Sequence, residues 1–153
     1  MSLIQRILLP TDFSEYSTHA VPYACALADE YEAELHVLHV LEKIPTAPYF
    51  GMGLTTTGFA EESEERARNL LEHVLPPDWP ARDKAVMVLK HGSPFVETIR
   101  YVKEAQIHLM VITTHGRTGL AHTLLGSQAE KLVRKSPCPV LTVRPTGHQF
   151  VMV

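Results

Sequence analysis

Short apolar runs alternate along the chain with amphipathic stretches. Each run has the length of a strand and is almost continuously apolar, which is typical of parallel strands that are covered on both faces. The five strands predicted in this way are Ile7–Leu9, Leu35–Leu41, Val86–Leu89, Leu109–Ile112 and Val140–Val143.

Apolar residues at helical spacing predict one helix in each gap between these strands. A possible N-cap at Asp12 or Ser14 precedes the first helix, and Ser93, followed by proline, predicts the start of the third. Ser127 and Glu130 have the spacing of a capping box at the start of the fourth. The apolar stripes are Ala20, Val21, Ala24, Leu27, Ala28 and Tyr31, then Ala67, Leu70, Leu71 and Val74, then Phe95, Ile99 and Val102, and finally Leu132 and Val133.

This alternation predicts the fold class. A βαβαβαβαβ order with short crossovers is typical of a doubly wound, Rossmann-like α/β fold, with a five-stranded parallel sheet and helices on both faces. A chain of 153 residues is expected to form a single domain, here residues 1–145, with a C-terminal tail at 146–153. The segment Lys43–Gly58 is rich in Pro and Gly and has no usable periodicity, so we predict a long exposed loop there.

Composition and charge limit the range of partners. Fourteen Lys and Arg against 17 Asp and Glu give a net charge of −3, so no basic surplus draws the chain to nucleic acid or to an acidic membrane. The N-terminus lacks the apolar segment of a signal peptide, and no apolar run reaches membrane-spanning length. Cys25 and Cys138 are far apart and are expected to be reduced thiols. We therefore expect a cytoplasmic protein.

The predicted sheet also indicates where a ligand would bind. Open parallel sheets bind ligands at the carboxyl ends of strands, where the strand order reverses. This rule selects Pro10, Thr11 and Asp12 after the first strand, Val40 at the end of the second, and the segment that starts at Thr113.

The segment from Thr113 to Ser127 has features of a phosphate site. Gly116 and Gly119 allow close approach of the backbone to an anion, and Gly126 with Ser127 opens a helix whose N-terminus favours negative charge. The alternative is that the glycines merely turn the chain and Ser127 merely caps the helix. For Asp12, helix capping, a ribose contact and general-base chemistry all stay open.

Other chemistries find little support. The sequence has neither a GxxxxGK[ST] motif nor a complete GxGxxG motif, and a triad of Ser127, His115 and Asp12 lacks the GxSxG motif. His36 and His39, three apart on one strand, are expected to face opposite sides of the sheet and not to share a metal ion.

Four segments resemble the universal stress protein family, and the resemblance extends to about Arg144. They are residues 7–14 (ILLPTDFS), 38–40 (LHV), 114–127 and 136–143 (SPCPVLTV). Together with the alternating pattern, the resemblance implies the strand order 3-2-1-4-5, with helices one and four on one face and helices two and three on the other.

One motif bears on the ligand. ATP-binding members of the family carry G-x2-G-x9-G-[ST]; Gly116, Gly126 and Ser127 match the last three elements, whereas Thr113 stands in place of the first glycine. A side chain there would either crowd the nucleotide or donate a hydrogen bond to it. His108 replaces an acidic residue often found before the fourth strand.

The resemblance implies a function and a set of site residues. It implies a small homodimeric stress-response protein, paired through strand five, that binds ATP as a regulatory ligand and acts through unidentified protein partners, not as an enzyme. Mg²⁺ or Mn²⁺ would be held mainly by the phosphates. The main alternative is a nucleotide-free dimeric interaction module of the same fold, and a further alternative is a true enzyme such as an ATP hydrolase or transferase. The implied nucleotide-binding residues are Pro10, Thr11, Asp12, Val40, Thr113, His115, Gly116, Arg117, Gly126, Ser127 and Gln128.

Overall fold

The computed structural model describes residues 2–43, 56–115 and 125–145. In this part of the chain five strands form one parallel sheet in the order β3-β2-β1-β4-β5, so the predicted fold class and strand order are confirmed. The strands are β1 (Arg6–Pro10), β2 (Glu34–Leu41), β3 (Val86–His91), β4 (Leu109–Thr113) and β5 (Val140–Val143).

Four α helices connect the strands in the described part of the chain. They are α1 (Val21–Tyr31), α2 (Thr56–Glu72), α3 (Pro94–Glu104) and α4 (Ser127–Lys135), and short 3₁₀ helices precede α1 at Ser17–Ala20 and β3 at Arg82–Lys84. The C-terminal bound of the predicted loop Lys43–Gly58 was wrong, because α2 already begins at Thr56. Residues 44–55 of that predicted loop and the predicted tail 146–153 lie outside the described residues.

The predicted pairing of the helices across the sheet was wrong. Helices α1 and α2 cover one face, where α1 packs on Ile7 and Leu9, and helices α3 and α4 cover the other face, where they pack on Leu8. The reason is handedness. The chain moves in one direction along the sheet from β1 through β2 to β3, with α1 and α2 in these crossovers, and in the opposite direction from β3 through β4 to β5, with α3 and α4 in those. Right-handed crossovers then place the two helix pairs on opposite faces.

The helix starts also differ from the prediction. Helix α1 begins at Val21, well after Asp12 and Ser14, although the Ser14 hydroxyl oxygen accepts the amide of Ser17 at 3.2 Å at the start of the 3₁₀ turn. Helix α4 has Gly126 at its N-cap, so Ser127 is its first residue and the predicted capping box does not form.

The core lies on both sides of β1 and β4. Ile7, Leu8 and Leu9 are fully buried, and alternate residues of the strands enter the two clusters on opposite faces. Burial of each such side chain contributes about 1.5–3 kcal/mol. Three residues of the predicted helical stripes, Tyr31, Leu70 and Val133, are instead exposed.

Within the described ranges no helix is long and apolar enough to span a membrane. Cys25 and Cys138 are both free thiols, as expected.

Candidate ligand site at the carboxyl ends of β1 and β4

The two central strands separate toward their carboxyl ends. The ladder between β1 and β4 pairs Ile7 with Leu109 and Leu8 with Met110, and it stops there although β1 continues to Pro10 and β4 to Thr113. On its other side, β1 stays paired with β2 as far as Pro10. Since the strand order reverses between β1 and β4, this separation opens a crevice at the position where doubly wound sheets bind ligands.

One wall of the crevice is the segment Thr11–Ser14, which we call the β1 loop. The Thr11 amide donates to the Leu38 carbonyl at 2.8 Å, so the loop leaves the sheet still attached to β2. The Thr11 hydroxyl oxygen accepts the Phe13 amide at 3.1 Å and lies 3.2 Å from the Ser17 hydroxyl. These contacts fix the backbone on both sides of Asp12.

Asp12 holds the turn of the β1 loop. Its Oδ1 accepts the Ser14 amide at 2.9 Å, an Asx turn, and the residue is partly exposed at the rim of the crevice. Asp12 therefore caps neither α1 nor the 3₁₀ helix before it. A carboxylate at this position is chemically suited to accept hydrogen bonds from hydroxyl groups of a ligand.

His39 and Phe13 support the β1 loop, and the sequence analysis missed both. His39 Nδ1 donates to the Thr11 carbonyl at 2.8 Å, and its ring lies 4.1 Å from the Phe13 ring at 31°. Phe13 has φ of +63°, which is uncommon for a large side chain. In the sequence His39 entered only the test for a shared metal ion and the family resemblance of segment 38–40. Its alternation with Leu35 and Val37 along β2 was the signal for the face on which it lies.

The other wall begins at the end of β4. The Thr113 hydroxyl donates to the His115 carbonyl at 2.8 Å, and the Thr114 hydroxyl lies 2.9 Å from His115 Nδ1. The Thr114 amide donates to the Val143 carbonyl at 3.0 Å, which attaches this segment to β5. The Thr113 hydroxyl therefore donates its hydrogen bond to the segment that follows β4.

The N-terminus of α4 lies against this wall. The Gly126 amide donates to the Thr114 carbonyl, and the helix ladder starts with the Glu130 amide on the Gly126 carbonyl. The amides of Ser127, Gln128 and Ala129 therefore have no acceptor within the helix, and such amides favour an anion. The Gly126 amide is already used, so a phosphate contact at Gly126 is not made by its N–H.

The remaining predicted site residues have different placements. Val40 is only 8 % exposed because its side chain packs in the cluster with α3, whereas Ser127 and Gln128 are exposed. Gly116 and Arg117 lie outside the described residues. In the ranges 2–43, 56–115 and 125–145 no group of three His, Cys, Asp or Glu side chains is arranged to hold a metal ion.

His108 acts at the opposite end of the sheet. Its Nδ1 accepts the Arg6 amide at 3.2 Å, and its own amide donates to the Arg6 carbonyl at 2.9 Å. The residue therefore extends the pairing of β1 and β4 at their amino ends, far from the crevice.

The two thiols are poor nucleophiles. Burial, helped by the charge of Asp29, raises the pKa of the Cys25 thiol from 9.0 to about 11. Burial also raises the pKa of Cys138, against the smaller lowering effect of hydrogen bonds from Ser136 and from backbone groups. Since the thiolate is the reactive form, neither residue is an activated nucleophile.

Comparisons with known proteins agree with this architecture. A family model described as the universal stress protein family matches residues 3–144. Universal stress protein MJ0531 of Methanocaldococcus jannaschii is 29% identical over 149 residues, which cover 94% of this chain and 84% of that protein.

Solved structures share the fold. MJ0577 of the same organism superposes with a TM-score of 0.73 at 26% identity, covering 95% of this chain and 99% of the other. A universal stress protein in complex with cAMP has a TM-score of 0.65 at 21% identity, with 94% and 98% of the two chains covered. An Arabidopsis thaliana family protein with AMP bound has a TM-score of 0.63 at 16% identity, with 94% and 93% covered.

Proposed function

Because the chain belongs to the universal stress protein family, we propose that it binds ATP as a regulatory ligand in the crevice between β1 and β4. The observation that carries the proposal is the separation of these strands beyond Leu8 and Met110, with the Asp12 carboxylate on one wall and the N-terminus of α4 on the other. Two proteins of similar fold are nucleotide complexes, one with cAMP and one with AMP, which supports a nucleotide as the ligand.

The chemistry of the two walls suggests how ATP would lie. Asp12 would accept hydrogen bonds from the ribose hydroxyls, and Pro10, Thr11 and Val40 would lie near the adenine. The amides at the start of α4 would face the phosphates, because the positive end of a helix stabilises negative charge. Residues of the phosphate segment in this proposal are Thr113, His115, Gly116, Arg117, Gly126, Ser127 and Gln128.

A divalent cation would accompany the nucleotide. The described residues offer no cluster of carboxylates, imidazoles and thiols for a resident ion, so we propose that Mg²⁺ or Mn²⁺ binds mainly to the phosphates. Mg²⁺ in nucleotide sites commonly relies on phosphate oxygens and water in this way.

We further propose that the protein is a cytoplasmic stress-response homodimer that acts through protein partners. Strand β5 lies at an edge of the sheet, and Leu141 and Thr142 on it are exposed. An exposed apolar edge strand favours pairing with a second copy of the chain. The proposal includes no enzymatic turnover, because neither an activated nucleophile nor a paired acid and base has been identified among the described residues.

Calorimetric titration with ATP and magnesium tests the proposal. We expect micromolar affinity, and Asp12→Asn should weaken it about tenfold, since a charge-assisted hydrogen bond is worth about 1.5–3 kcal/mol. Asparagine keeps an oxygen for the Ser14 amide, so the β1 loop should persist. Asp83→Asn, an exposed carboxylate in the second 3₁₀ helix, is the matched control and should bind like the parent. Absence of binding by the parent chain would refute the proposal.

Two rival functions can be tested beside this proposal, one by the same titration and one by an assay of phosphate release. The first rival is a nucleotide-free dimeric module. Thr113 favours it, because this residue stands at the position of the first glycine in the motif of ATP-binding family members. If the parent does not bind ATP and Thr113→Gly does, that second function is correct. Phosphate release that Asp12→Asn abolishes while ATP stays bound would instead indicate an ATP hydrolase.

A further inference from the structure

We infer that His39 is a positioning residue for the β1 loop, acting on Asp12 through Thr11 and Phe13 and not through contact with a ligand. The inference rests on the proposed nucleotide site, because Asp12 is the residue whose position matters there. Three observations carry it: the hydrogen bond to Thr11, the ring contact with Phe13, and the burial of His39 to 7% exposure.

The hydrogen bond sets the direction of one peptide group. A carbonyl oxygen accepts only, so His39 carries its proton on Nδ1 when it bonds to Thr11. The Thr11 carbonyl and the Asp12 amide belong to the same planar peptide unit. With the Thr11 amide already held by Leu38, the bond from His39 fixes the plane from which Asp12 projects.

The ring contact holds the other side of Asp12. Phe13 adopts φ of +63°, a conformation that a large side chain keeps only where its surroundings enforce it. Its amide donates to the Thr11 hydroxyl oxygen, and its ring packs on His39 and on the core beside α1. Asp12 is thus flanked by two residues that both contact His39.

His36 provides a matched control on the same strand. It lies three residues earlier, is 5% exposed and is also hydrogen bonded, but it faces the opposite side of the sheet and contacts Tyr101 of α3. A substitution at His36 removes a buried, hydrogen-bonded imidazole from β2 without touching the β1 loop. It therefore measures the general effect of such a change on stability.

Three variants separate the two contacts of His39. His39→Asn keeps an N–H donor near the position of Nδ1 and loses the ring, His39→Leu has a similar shape with no donor, and His39→Phe keeps a ring with no donor. We expect His39→Leu to weaken ATP binding about tenfold and His39→Asn to bind about fivefold tighter than His39→Leu, as a single hydrogen bond of ordinary net strength allows. His39→Phe should lie between the leucine variant and the parent.

Amide hydrogen exchange without nucleotide is the second readout. The amides of Phe13 and Ser14 donate within the β1 loop, so they should exchange faster in His39→Leu than in His36→Leu. His36→Leu should reduce the free energy of unfolding but leave ATP affinity within about twofold of the parent, because it removes a buried hydrogen bond away from the site.

The outcomes distinguish this inference from the proposed function. If the parent binds no ATP, the proposed function fails and amide exchange still decides the role of His39. Unchanged exchange in the β1 loop, or an equal loss of affinity in His36→Leu, overturns the positioning role even when ATP binds. If His39→Leu does not fold, His39→Asn and His39→Phe test the inference instead. It is overturned if the β1-loop amides exchange in both variants at the same rate as in the parent.

Discussion

The phenol oxygen of Tyr101 on α3 lies 2.6 Å from Nδ1 of His36 on β2, in the interior of the protein. His36 Nε2 lies 2.6 Å from a carboxylate oxygen of Glu34, which can only accept, so Nε2 carries a proton. In the neutral form of the ring, Nδ1 then accepts the Tyr101 hydroxyl. In their neutral forms, His36 and His39 are therefore opposite tautomers, on opposite faces of one strand.

Removal of the Tyr101 hydroxyl should destabilise the fold. In Tyr101→Phe the buried Nδ1 of His36 loses its partner, and we expect the free energy of unfolding to fall by about 1–2 kcal/mol. Urea unfolding at neutral pH measures the change. Tyr23→Phe is the control, because Tyr23 is 55% exposed and should alter stability by less than about 0.5 kcal/mol. An equal effect of the two variants would contradict the role of the buried hydroxyl.

Gly92 is required by its backbone conformation. It has φ of +137°, and an added Cβ would lie 3.1 Å from Cγ of Glu97. We expect Gly92→Ala to lower the free energy of unfolding by about 1–3 kcal/mol. Gly126→Ala is the control, since Gly126 has φ of −63° and ψ of 159°, which any residue can adopt. Thermal or urea unfolding of the two variants gives the comparison, and a stability of Gly92→Ala equal to that of the parent would refute the prediction.

The stability of the protein should decline at high pH. Burial raises the pKa of Cys25 from 9.0 to about 11, so the unfolded chain loses this proton first as the pH rises. The free energy of unfolding is therefore expected to fall between pH 9 and pH 11. Tyr101 contributes in the same direction, because burial and the nearby charge of Glu34 raise its pKa.

Urea unfolding of the parent and of Cys25→Ala at several values in this interval measures the contribution of the thiol. The alanine variant should be less stable at neutral pH, because a buried side chain is shortened, but its stability should decline less steeply. Parallel pH profiles for the two proteins would rule out the thiol as a cause.

Gly126→Val should reduce ATP affinity and leave the fold intact. The backbone at Gly126 is compatible with valine, but the branched side chain would stand at the start of α4, where the phosphates are proposed to approach. We expect a loss on the order of 2 kcal/mol, the value of one charge-assisted hydrogen bond to the phosphates from the amides that follow Gly126 in α4. Calorimetry measures affinity and circular dichroism checks the fold. Unchanged affinity would place the phosphates elsewhere.

Leu141→Lys should weaken the proposed dimer. Leu141 is 38% exposed on the edge strand, and pairing through β5 would bury an unpaired ammonium group in the variant. Leu70→Lys is the matched control, because Leu70 is 44% exposed on α2, away from β5. Light scattering at high micromolar concentration should show a dimer for the parent and the control. A monomeric parent would count decisively against pairing through β5.

The strands could be predicted because their signal is local, whereas their order came from the alternating pattern together with the family resemblance. Runs such as Leu109–Ile112 are apolar throughout, as both faces of a central parallel strand require. The pairing of helices on the two faces was also within reach, since handedness and strand order together determine it. Leu70 and Val133 were wrongly placed on the buried faces of α2 and α4, because the spacing of apolar residues in a helix does not show how wide the buried face is.

The site was predictable only to the level of its segments. Position at a strand end selected Asp12 and Thr113, but whether a side chain bonds to its own segment or faces a ligand depends on backbone angles. Thr113 bonds to the His115 carbonyl, a contact two residues away that no spacing argument selects. The contact of His39 with Thr11 joins residues 28 apart and depends on how the β1 loop folds over β2.

The pairing of β1 with β4 has a consequence for how the molecule acquires its shape during synthesis. The bond between Arg6 and His108 joins positions 102 residues apart, so a large chain loop must close before these strands meet. Contacts of such long range slow folding. A nascent chain that has emerged only through β3 still lacks β4, the strand that pairs with β1 on the side away from β2. The crevice therefore forms only when the last third of the polypeptide contributes β4 and α4, and the proposed ligand binding there would report that these elements have joined the earlier part of the sheet.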